Sequence, residues 1–180
     1  MANNSNHNIM RKLPFNRRII LISSLLTDIK LFWKIAKEIY SIIYFLCDEY
    51  PDFYEWYWNK EIPRVFSGTS EIVFCTVDNN IVGITLLKKD SYERKICTIY
   101  VVEKYRRQRI ATQMLEQSFK YLATTKPLIS ITDYKVYMFR SFIQKYDWEL
   151  TQILSKGYYN ANSREFVYNG SLRHDLKTSK

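Results

Sequence analysis

Histidine is scarce in this chain of 180 residues: there are two, His7 and His174, and both lie in the polar ends of the sequence. A Ser/His/Asp triad, a Cys/His pair or a His-rich metal site would need a histidine in the folded part of the chain. These enzyme classes are therefore disfavoured, and we expect no metal site.

Cysteine is almost as scarce. Cys47, Cys75 and Cys97 are too far apart for a CxxC metal motif, and each lies in an apolar run. This pattern predicts small core residues of a protein that is kept in a reducing compartment.

Long uncharged runs are missing as well. The stretch "IILISSLL" follows Arg17 and Arg18 like the start of a signal peptide, but Asp28, Lys30 and Lys34 soon interrupt it and no small-residue cleavage site follows. We expect a cytoplasmic protein with no membrane partner.

Glycine and proline occur only four times each, and no repeat is present, which argues against low complexity. With 47% hydrophobic residues, the length suits a single domain with a substantial core. We expect a disordered basic tail over residues 1–16, one domain over 17–172 and a flexible tail over 173–180.

A formal net charge of +9 is typical of a nucleic-acid-binding protein, but the charge is unevenly distributed along this chain. Residues 1–18 carry +4 and residues 173–180 carry +2, so the 154 residues between them carry only +3. Much of the positive charge therefore belongs to the ends, where it favours solubility or weak anion binding.

Hydrophobic periodicity predicts the element order β-α-α-β-β-β-α-β-α-β-β. The predicted strands cover residues 18–25, 71–77, 80–88, 95–102, 127–132, 148–154 and 164–169, and the helices cover 28–47, 52–68, 110–122 and 134–146. We expect a bend at Pro63 and a hairpin turn at Asp78-Asn79-Asn80. Helices interleaved with a strand meander indicate an α+β fold with a mixed, mostly antiparallel central sheet flanked by helices.

The segment "VVEKYRRQRIATQML" (residues 101–115) joins a predicted strand to a predicted helix. The free N–H groups and the positive end of a helix form an anion site there. Arg106, Arg107 and Arg109 add charge suited to a diphosphate, although such a cluster is also common on solvated surfaces.

This segment resembles the acetyl-CoA-binding motif of the GNAT superfamily of N-acetyltransferases, in which Arg/Gln-x-x-Gly-x-Gly/Ala opens a long helix after a strand. Arg106, Ile110 and Ala111 match, whereas Arg109 stands at the central glycine. The order of elements over residues 17–170 is similar too. The resemblance implies acetyl-CoA as co-substrate. We expect Arg109 still to offer its N–H if its φ is negative, whereas a positive φ at this position would damage the site.

By the same resemblance, the end of the strand contacts the pantetheine arm and the loop contacts the diphosphate. The implied cofactor-binding residues are Val101, Val102, Arg106, Arg107, Gln108, Arg109, Ile110, Ala111 and Thr112.

The catalytic residues are harder to identify. Many relatives protonate the leaving thiolate with a tyrosine in the penultimate helix, but in "FIQKYDWEL" Ile143 stands at that position and Asp147 at the following glycine. Tyr137 and Tyr146 on the same helix are the substitute candidates, and Asp133 is the candidate base, although packing and helix capping are alternative roles for them.

Glu103 and Tyr100 are weaker candidates for the base. Residues 50–63 belong to the pair of helices that commonly borders the acceptor site in this superfamily. Acidic side chains near that site could attract an amine, and aromatic rings could pack against it. The acidic and aromatic candidates are Asp48, Glu49, Asp52, Glu55, Trp56, Tyr57 and Trp58.

The leading hypothesis is an N-acetyltransferase that acetylates a primary amine of a small molecule, a protein or an aminoacyl-tRNA. One alternative is an RNA-binding protein that uses the basic tail with Arg106, Arg107 and Arg109. Another is a catalytically silent relative that only binds CoA. We expect a monomer or a homodimer.

Overall fold

The computed structural model describes residues 16–159 and 161–172, so the two predicted tails, apart from Asn16, and both histidines lie outside the described residues. The seven strands are β1 Arg17–Leu21, β2 Ser70–Val77, β3 Asn80–Lys89, β4 Arg94–Val101, β5 Leu128–Thr132, β6 Leu150–Leu154 and β7 Glu165–Tyr168. The α-helices are α1 Ile29–Ile43, α2 Leu46–Glu49, α3 Phe53–Trp56, α4 Ile62–Phe66, α5 Ile110–Leu122 and α6 Val136–Lys145.

All seven strands form one sheet in the order β1-β2-β3-β4-β5-β7-β6. Neighbours are antiparallel except β4 and β5, which are parallel and joined through α5. The β2–β3 turn has positive φ at Asp78 and Asn79, as a tight hairpin turn requires. The predicted α+β class with a mixed, mostly antiparallel sheet is confirmed.

Two layers of helices cover the two faces of the sheet. On one face, α1 buries Phe32, Ala36, Ile39 and Ile43, which recur at helical spacing. On the other face, α5 packs most closely over β3, where a Cβ added at Gly83 would lie 2.9 Å from side-chain atoms of α5. Glycine therefore lets the start of α5 approach the sheet.

The first predicted strand is too long, because residues Ile22–Leu25 form a 3-10 turn. The Ser24 hydroxyl donates to the carbonyl of Leu21 at 2.7 Å, and both the N–H and the hydroxyl of Ser23 donate to Glu71. The hydrogen bonds of these two serines, one local and one to a distant carboxylate, thus replace the strand ladder.

The predicted helices over 28–47 and 52–68 are each divided. The first ends at Ile43 and is followed by the short α2. In the second, Tyr57–Glu61 forms a π-helical turn in which the N–H of Ile62 donates to the carbonyl of Tyr57. The wider turn precedes Pro63, which has no N–H to donate.

None of the helices in the described part of the chain is both long enough and apolar enough to cross a membrane.

Candidate functional site

The parallel strands β4 and β5 separate soon after they meet. Within the described residues, they pair only at Lys95–Leu128 and Ile96–Ile129, after which β4 continues along β3 and β5 continues along β7. The sheet therefore opens into a gap toward the C-terminal ends of both strands.

A cleft of about 330 Å³ lies on the α5 and α6 side of this gap. Its walls come from the end of β4, the loop before α5, the first turn of α5 and one side of α6. The lining residues are Ile99, Tyr100, Val101, Tyr105, Arg106, Arg107, Arg109, Ile110, Ala111, Thr112, Met138, Phe139, Ser141 and Phe142.

The first turn of α5 presents free N–H donors to this cleft. The first backbone bond at the start of the helix runs from the N–H of Gln113 to the carbonyl of Arg109 at 3.1 Å. Among the hydrogen bonds between described residues, none uses the N–H of Ile110, Ala111 or Thr112, and no side chain caps this end of the helix. Three donors and the positive end of the helix dipole are therefore available to an anion.

The loop before α5 is held in a left-handed conformation at two arginines. The φ of Arg107 is 60° and that of Arg109 is 62°, so the condition of a negative φ, on which the N–H of Arg109 was expected to serve the site, is not met. Arg17 of β1 helps to hold this loop, since its Nη1 donates to the carbonyl of Gln108 at 2.9 Å and to Oε1 of Gln113 at 3.3 Å. A residue other than glycine in this conformation costs about 1–2 kcal/mol.

The backbone groups at the end of β4 are partly engaged. The N–H of Val102 donates to the carbonyl of Val82 at 2.9 Å, and the carbonyl of Val102 accepts from the N–H of Tyr105 at 2.9 Å. The carbonyl of Val101 accepts from Nε of Arg106 at 3.2 Å. Of the two valines, Val101 lines the cleft and Val102 does not.

The three catalytic candidates occupy different surroundings. The Tyr137 side chain is 76% exposed and lines neither the cleft nor the larger cavity described below. The Tyr146 ring packs on Phe119 with centroids 4.8 Å apart, and its buried hydroxyl has no hydrogen-bond partner within the described part of the chain. The structure does not bring these two tyrosines and Asp133 together in the cleft.

Asp133 is engaged by neighbours. Its carboxylate accepts from the N–H of Tyr134 at 2.9 Å and from Nε of Arg164 at 3.3 Å. Desolvation alone would raise the pKa of Asp133, but the Arg164 pair and the backbone N–H groups outweigh it and hold the pKa below its ordinary value. A carboxyl group of this kind is a weak base at neutral pH.

Sequence reasoning missed the α6 wall of the cleft and Tyr105. Met138, Phe139 and Phe142 lie on one side of α6, and the hydroxyls of Ser141 and Tyr105 belong to lining residues as well. The three- and four-residue spacing of the apolar residues in α6 is the signal that could have identified that wall.

A second cavity, of about 520 Å³, lies on the opposite side of the sheet, beneath α3 and α4. Neighbouring residues of β4 line different cavities. Cys97 and Thr98 line this larger cavity, whereas Ile99 lines the cleft. Ser130, one residue beyond the last β4–β5 pair, also lines the cavity. The two spaces thus lie on opposite sides of the sheet, and both border the gap between the strands.

Some of the predicted acceptor-site residues lie at this cavity and others do not. Asp52, Glu55 and Trp56 line it. Tyr57 is instead fully buried and its hydroxyl donates to the carbonyl of Ala36 at 2.9 Å, so it is a core residue. Asp48, Glu49 and Trp58 do not line the cavity; Glu49 binds Nζ of Lys135 at 2.6 Å.

The thiol of Cys97 is a neutral part of the cavity wall. Burial, more than any nearby charge, raises its pKa to about 12, so it stays protonated at neutral pH. Within residues 16–159 and 161–172, no group of three or more His, Cys, Asp or Glu side chains could hold a metal ion.

Comparison with known proteins adds independent findings. The model of the family described as "Acetyltransferase (GNAT) domain" matches residues 48–149, more than half of the chain. A solved structure from Desulfovibrio desulfuricans, assigned to the GNAT family of acetyltransferases, superposes with a TM-score of 0.62 at 12% identity, over 84% of this chain and 96% of that one.

A GNAT family acetyltransferase from Elizabethkingia anophelis with acetyl-CoA bound gives a TM-score of 0.47 at 22% identity, over 61% of this chain and 80% of that one. No curated protein sequence matches the chain significantly. The first of the two structures shares the fold, and the family match confirms the resemblance found in residues 101–115.

Proposed function

Because this chain belongs to the GNAT acetyltransferase family, we propose that it transfers the acetyl group of acetyl-CoA, the co-substrate typical of that family, to a primary amine. The observation that carries the proposal is the cleft at the separated ends of β4 and β5, which receives three free N–H groups from the first turn of α5.

In this proposal the diphosphate of acetyl-CoA lies at the N–H groups of Ile110, Ala111 and Thr112, where the helix dipole favours negative charge. Arg106, Arg107 and Arg109 supply positive charge beside it. The positive φ at Arg107 and Arg109 strains this loop, so the diphosphate donors in this proposal are the N–H groups of the three residues that follow Arg109.

The pantetheine arm would follow β4 along Ile99 and Val101 to the gap, with its thioester close to Ser130. Gln108 and Val102 complete the proposed binding segment. The N–H of Val102 is already bonded to β3, so Val102 contributes by holding the end of β4 in place and not as a donor to the cofactor. The acceptor would enter from the 520 Å³ cavity on the other side of the sheet.

The chemistry is then a direct transfer. The amine nitrogen attacks the thioester carbonyl carbon, the new C–N bond replaces the C–S bond, the nitrogen loses a proton and the CoA thiolate gains one. Tyr137, Tyr146 and Asp133 stay predictions for the proton transfers, and Tyr105 and Ser141, two hydroxyl-bearing residues that line the cleft, are further candidates to protonate the thiolate. A cytoplasmic location also stays a prediction.

Binding is tested by thermal unfolding with acetyl-CoA. At about 100 times its dissociation constant, acetyl-CoA should stabilise the protein by about 2.7 kcal/mol. Ala111→Asp, which puts a carboxylate among the free N–H groups, should remove the effect, whereas Ala161→Asp in an exposed loop should not. An unchanged melting temperature with acetyl-CoA contradicts the proposal.

Turnover is tested by thiol release from acetyl-CoA with spermidine, a peptide with a free N-terminus and an aminoacyl-tRNA as amines. Release with any of them supports the enzyme. Stabilisation by acetyl-CoA without release on this panel would support the silent relative, and salt-sensitive RNA binding without stabilisation would support the RNA-binding alternative.

A further inference from the structure

Glu165 is a buried carboxyl group at the centre of the open half of the sheet. It begins β7, where it pairs with Thr132 of β5 on one side and Leu154 of β6 on the other, and it is 1% exposed. Neither carboxylate oxygen has a hydrogen-bond partner among the described residues. A buried polar group without a partner is costly and rare, so it calls for an explanation.

Strand alternation places Glu165 on the face of the sheet that carries the larger cavity, behind the residues that line that cavity. Phe166 and Tyr168 of β7 pack in the core beneath α5 and α6, so Glu165 belongs to the opposite face of the sheet. On β5, Ile129 and Ile131 pack in that same core, so Ser130 shares the face of Glu165 and lines the cavity.

Ser130 and Glu165 therefore lie on adjacent antiparallel strands, diagonally across one face, because Ser130 pairs with Val167 and Thr132 pairs with Glu165. The hydroxyl of Ser130 is close enough to the carboxyl to lower its pKa, although neither carboxylate oxygen meets hydrogen-bond geometry with it.

The surroundings of Glu165 bring its carboxyl group close to the midpoint between the protonated and the ionised form at neutral pH. Burial raises the pKa of Glu165 to about 7, Ser130, Lys135 and Lys95 oppose that rise, and Glu49 adds to it. The phenols of Tyr50 and Tyr159 also face Glu165, and their pKa values are raised mainly by burial and further by the Glu165 charge, so both stay neutral.

We propose that Ser130 and Glu165 form a proton relay for the acceptor amine. Ser130, at the point where β4 and β5 separate, contacts the amine; as the N–C bond forms, the nitrogen gives a proton to the Ser130 oxygen and the Ser130 hydroxyl proton passes to the Glu165 carboxylate. Glu165 acts through Ser130 as a positioning residue and final proton acceptor. This inference rests on the proposed acetyl transfer.

The test compares Glu165→Gln, Ser130→Ala and the control Glu61→Gln by thiol release from acetyl-CoA with the same three amines. Glu61 is also fully buried and, like Glu165, lines neither cavity, but its carboxylate accepts from the Ser70 hydroxyl at 3.1 Å and has no place beside Ser130. In the wild type, kcat should rise through about pH 7, the pKa of Glu165.

We expect Glu165→Gln and Ser130→Ala each to lower kcat on the order of 10²-fold and to remove that rise, with KM for acetyl-CoA unchanged. The double variant should be no slower than the slower single variant, since the two residues act as one unit. Glu165→Asp should recover part of kcat, and Glu61→Gln should keep the wild-type profile.

An unchanged pH profile in Glu165→Gln, beside an active wild type, overturns the relay and leaves the proposed acetyl transfer intact. If Glu165→Gln does not melt cooperatively, it is not folded, and the Ser130→Ala variant then tests the relay by itself. An unchanged pH profile of kcat in Ser130→Ala also overturns the relay. A wild type that releases no thiol with any of the three amines overturns the proposed function and the relay with it.

Discussion

Nε of Arg106 donates a hydrogen bond to the carbonyl oxygen of Val101 at 3.2 Å, so the first arginine of the loop is anchored on the last residue of β4. The anchor joins the two parts of the proposed cofactor site, the strand that guides the pantetheine arm and the loop that surrounds the diphosphate. It also places the Arg106 charge beside the cleft.

We expect Arg106→Ala to weaken acetyl-CoA binding by roughly ten- to a hundredfold, because hydrogen bonds to charged groups contribute about 1.5–3 kcal/mol. Isothermal titration calorimetry measures the dissociation constant. Arg18→Ala removes an exposed arginine of β1 that does not line the cleft and should leave binding unchanged. Equal affinities of the two variants would contradict a role for Arg106.

The positive φ of Arg109 predicts an unusual order of stabilities. Arg109→Gly should be about 1 kcal/mol more stable than Arg109→Ala, because only glycine adopts this conformation without strain. Urea unfolding of the two variants measures the difference, and both lack the arginine charge. At Lys104, whose φ is not positive, glycine should instead be less stable than alanine. Equal stability at Arg109 would contradict strain there.

Gly83 links the packing of the sheet to the site. A Cβ at this position would lie 2.9 Å from Ile110 Cγ2 and from Met114. We expect Gly83→Ala to destabilise the protein by roughly 1–3 kcal/mol and to weaken acetyl-CoA binding, because it displaces the first turn of α5. Gly170→Ala, whose Cβ meets Leu128 at 3.2 Å away from the cleft, is the control and should affect stability alone. Unchanged acetyl-CoA affinity in Gly83→Ala would show that the helix start does not hold the ligand.

The tyrosines differ in their access to the cleft. We expect Tyr105→Phe to lower kcat for thiol release roughly tenfold or more, as the loss of a proton donor does. Tyr137→Phe should leave kcat unchanged, since that side chain is 76% exposed. A lower kcat in Tyr137→Phe with an unchanged kcat in Tyr105→Phe would instead support Tyr137, one of the two substitute candidates from the sequence.

Buried Glu61 makes stability depend on pH. Burial raises its pKa from 4.5 to about 8, against the Ser70 hydrogen bond, so the folded protein holds this proton after the unfolded chain has released it. The free energy of unfolding should therefore fall from about pH 4.5 to pH 8, by up to about 1.4 kcal/mol per pH unit. Glu61→Gln should lose this dependence and gain relative stability as the pH rises.

Urea unfolding at pH 5, 6.5 and 8.5 measures this change as a difference between wild type and variant. Glu116→Gln, an exposed change on α5, is the control and should keep the wild-type slope. A Glu61→Gln variant with the same slope as the wild type would show that Glu61 is ionised in the folded protein.

The order of elements, the Asp78-Asn79 turn and the family resemblance were predictable from the sequence. Each depends on residues that are close in the chain: the two-residue period of strands, the 3.6-residue period of helices and one contiguous loop from Arg106 to Ala111. The ends of elements were less predictable, because serine bonds to Leu21 and Glu71 shortened β1.

Tertiary structure alone decided the rest of the site. The 35-residue separation of Ser130 and Glu165 gave no local signal; they lie on adjacent strands because β7 inserts between β5 and β6. The positive φ of Arg109 follows directly after Gln108, whose carbonyl accepts a hydrogen bond from Arg17, 91 residues away in the chain. A local pattern records which side chains an element buries, whereas the neighbours across a sheet depend on strand pairings between distant parts of the chain.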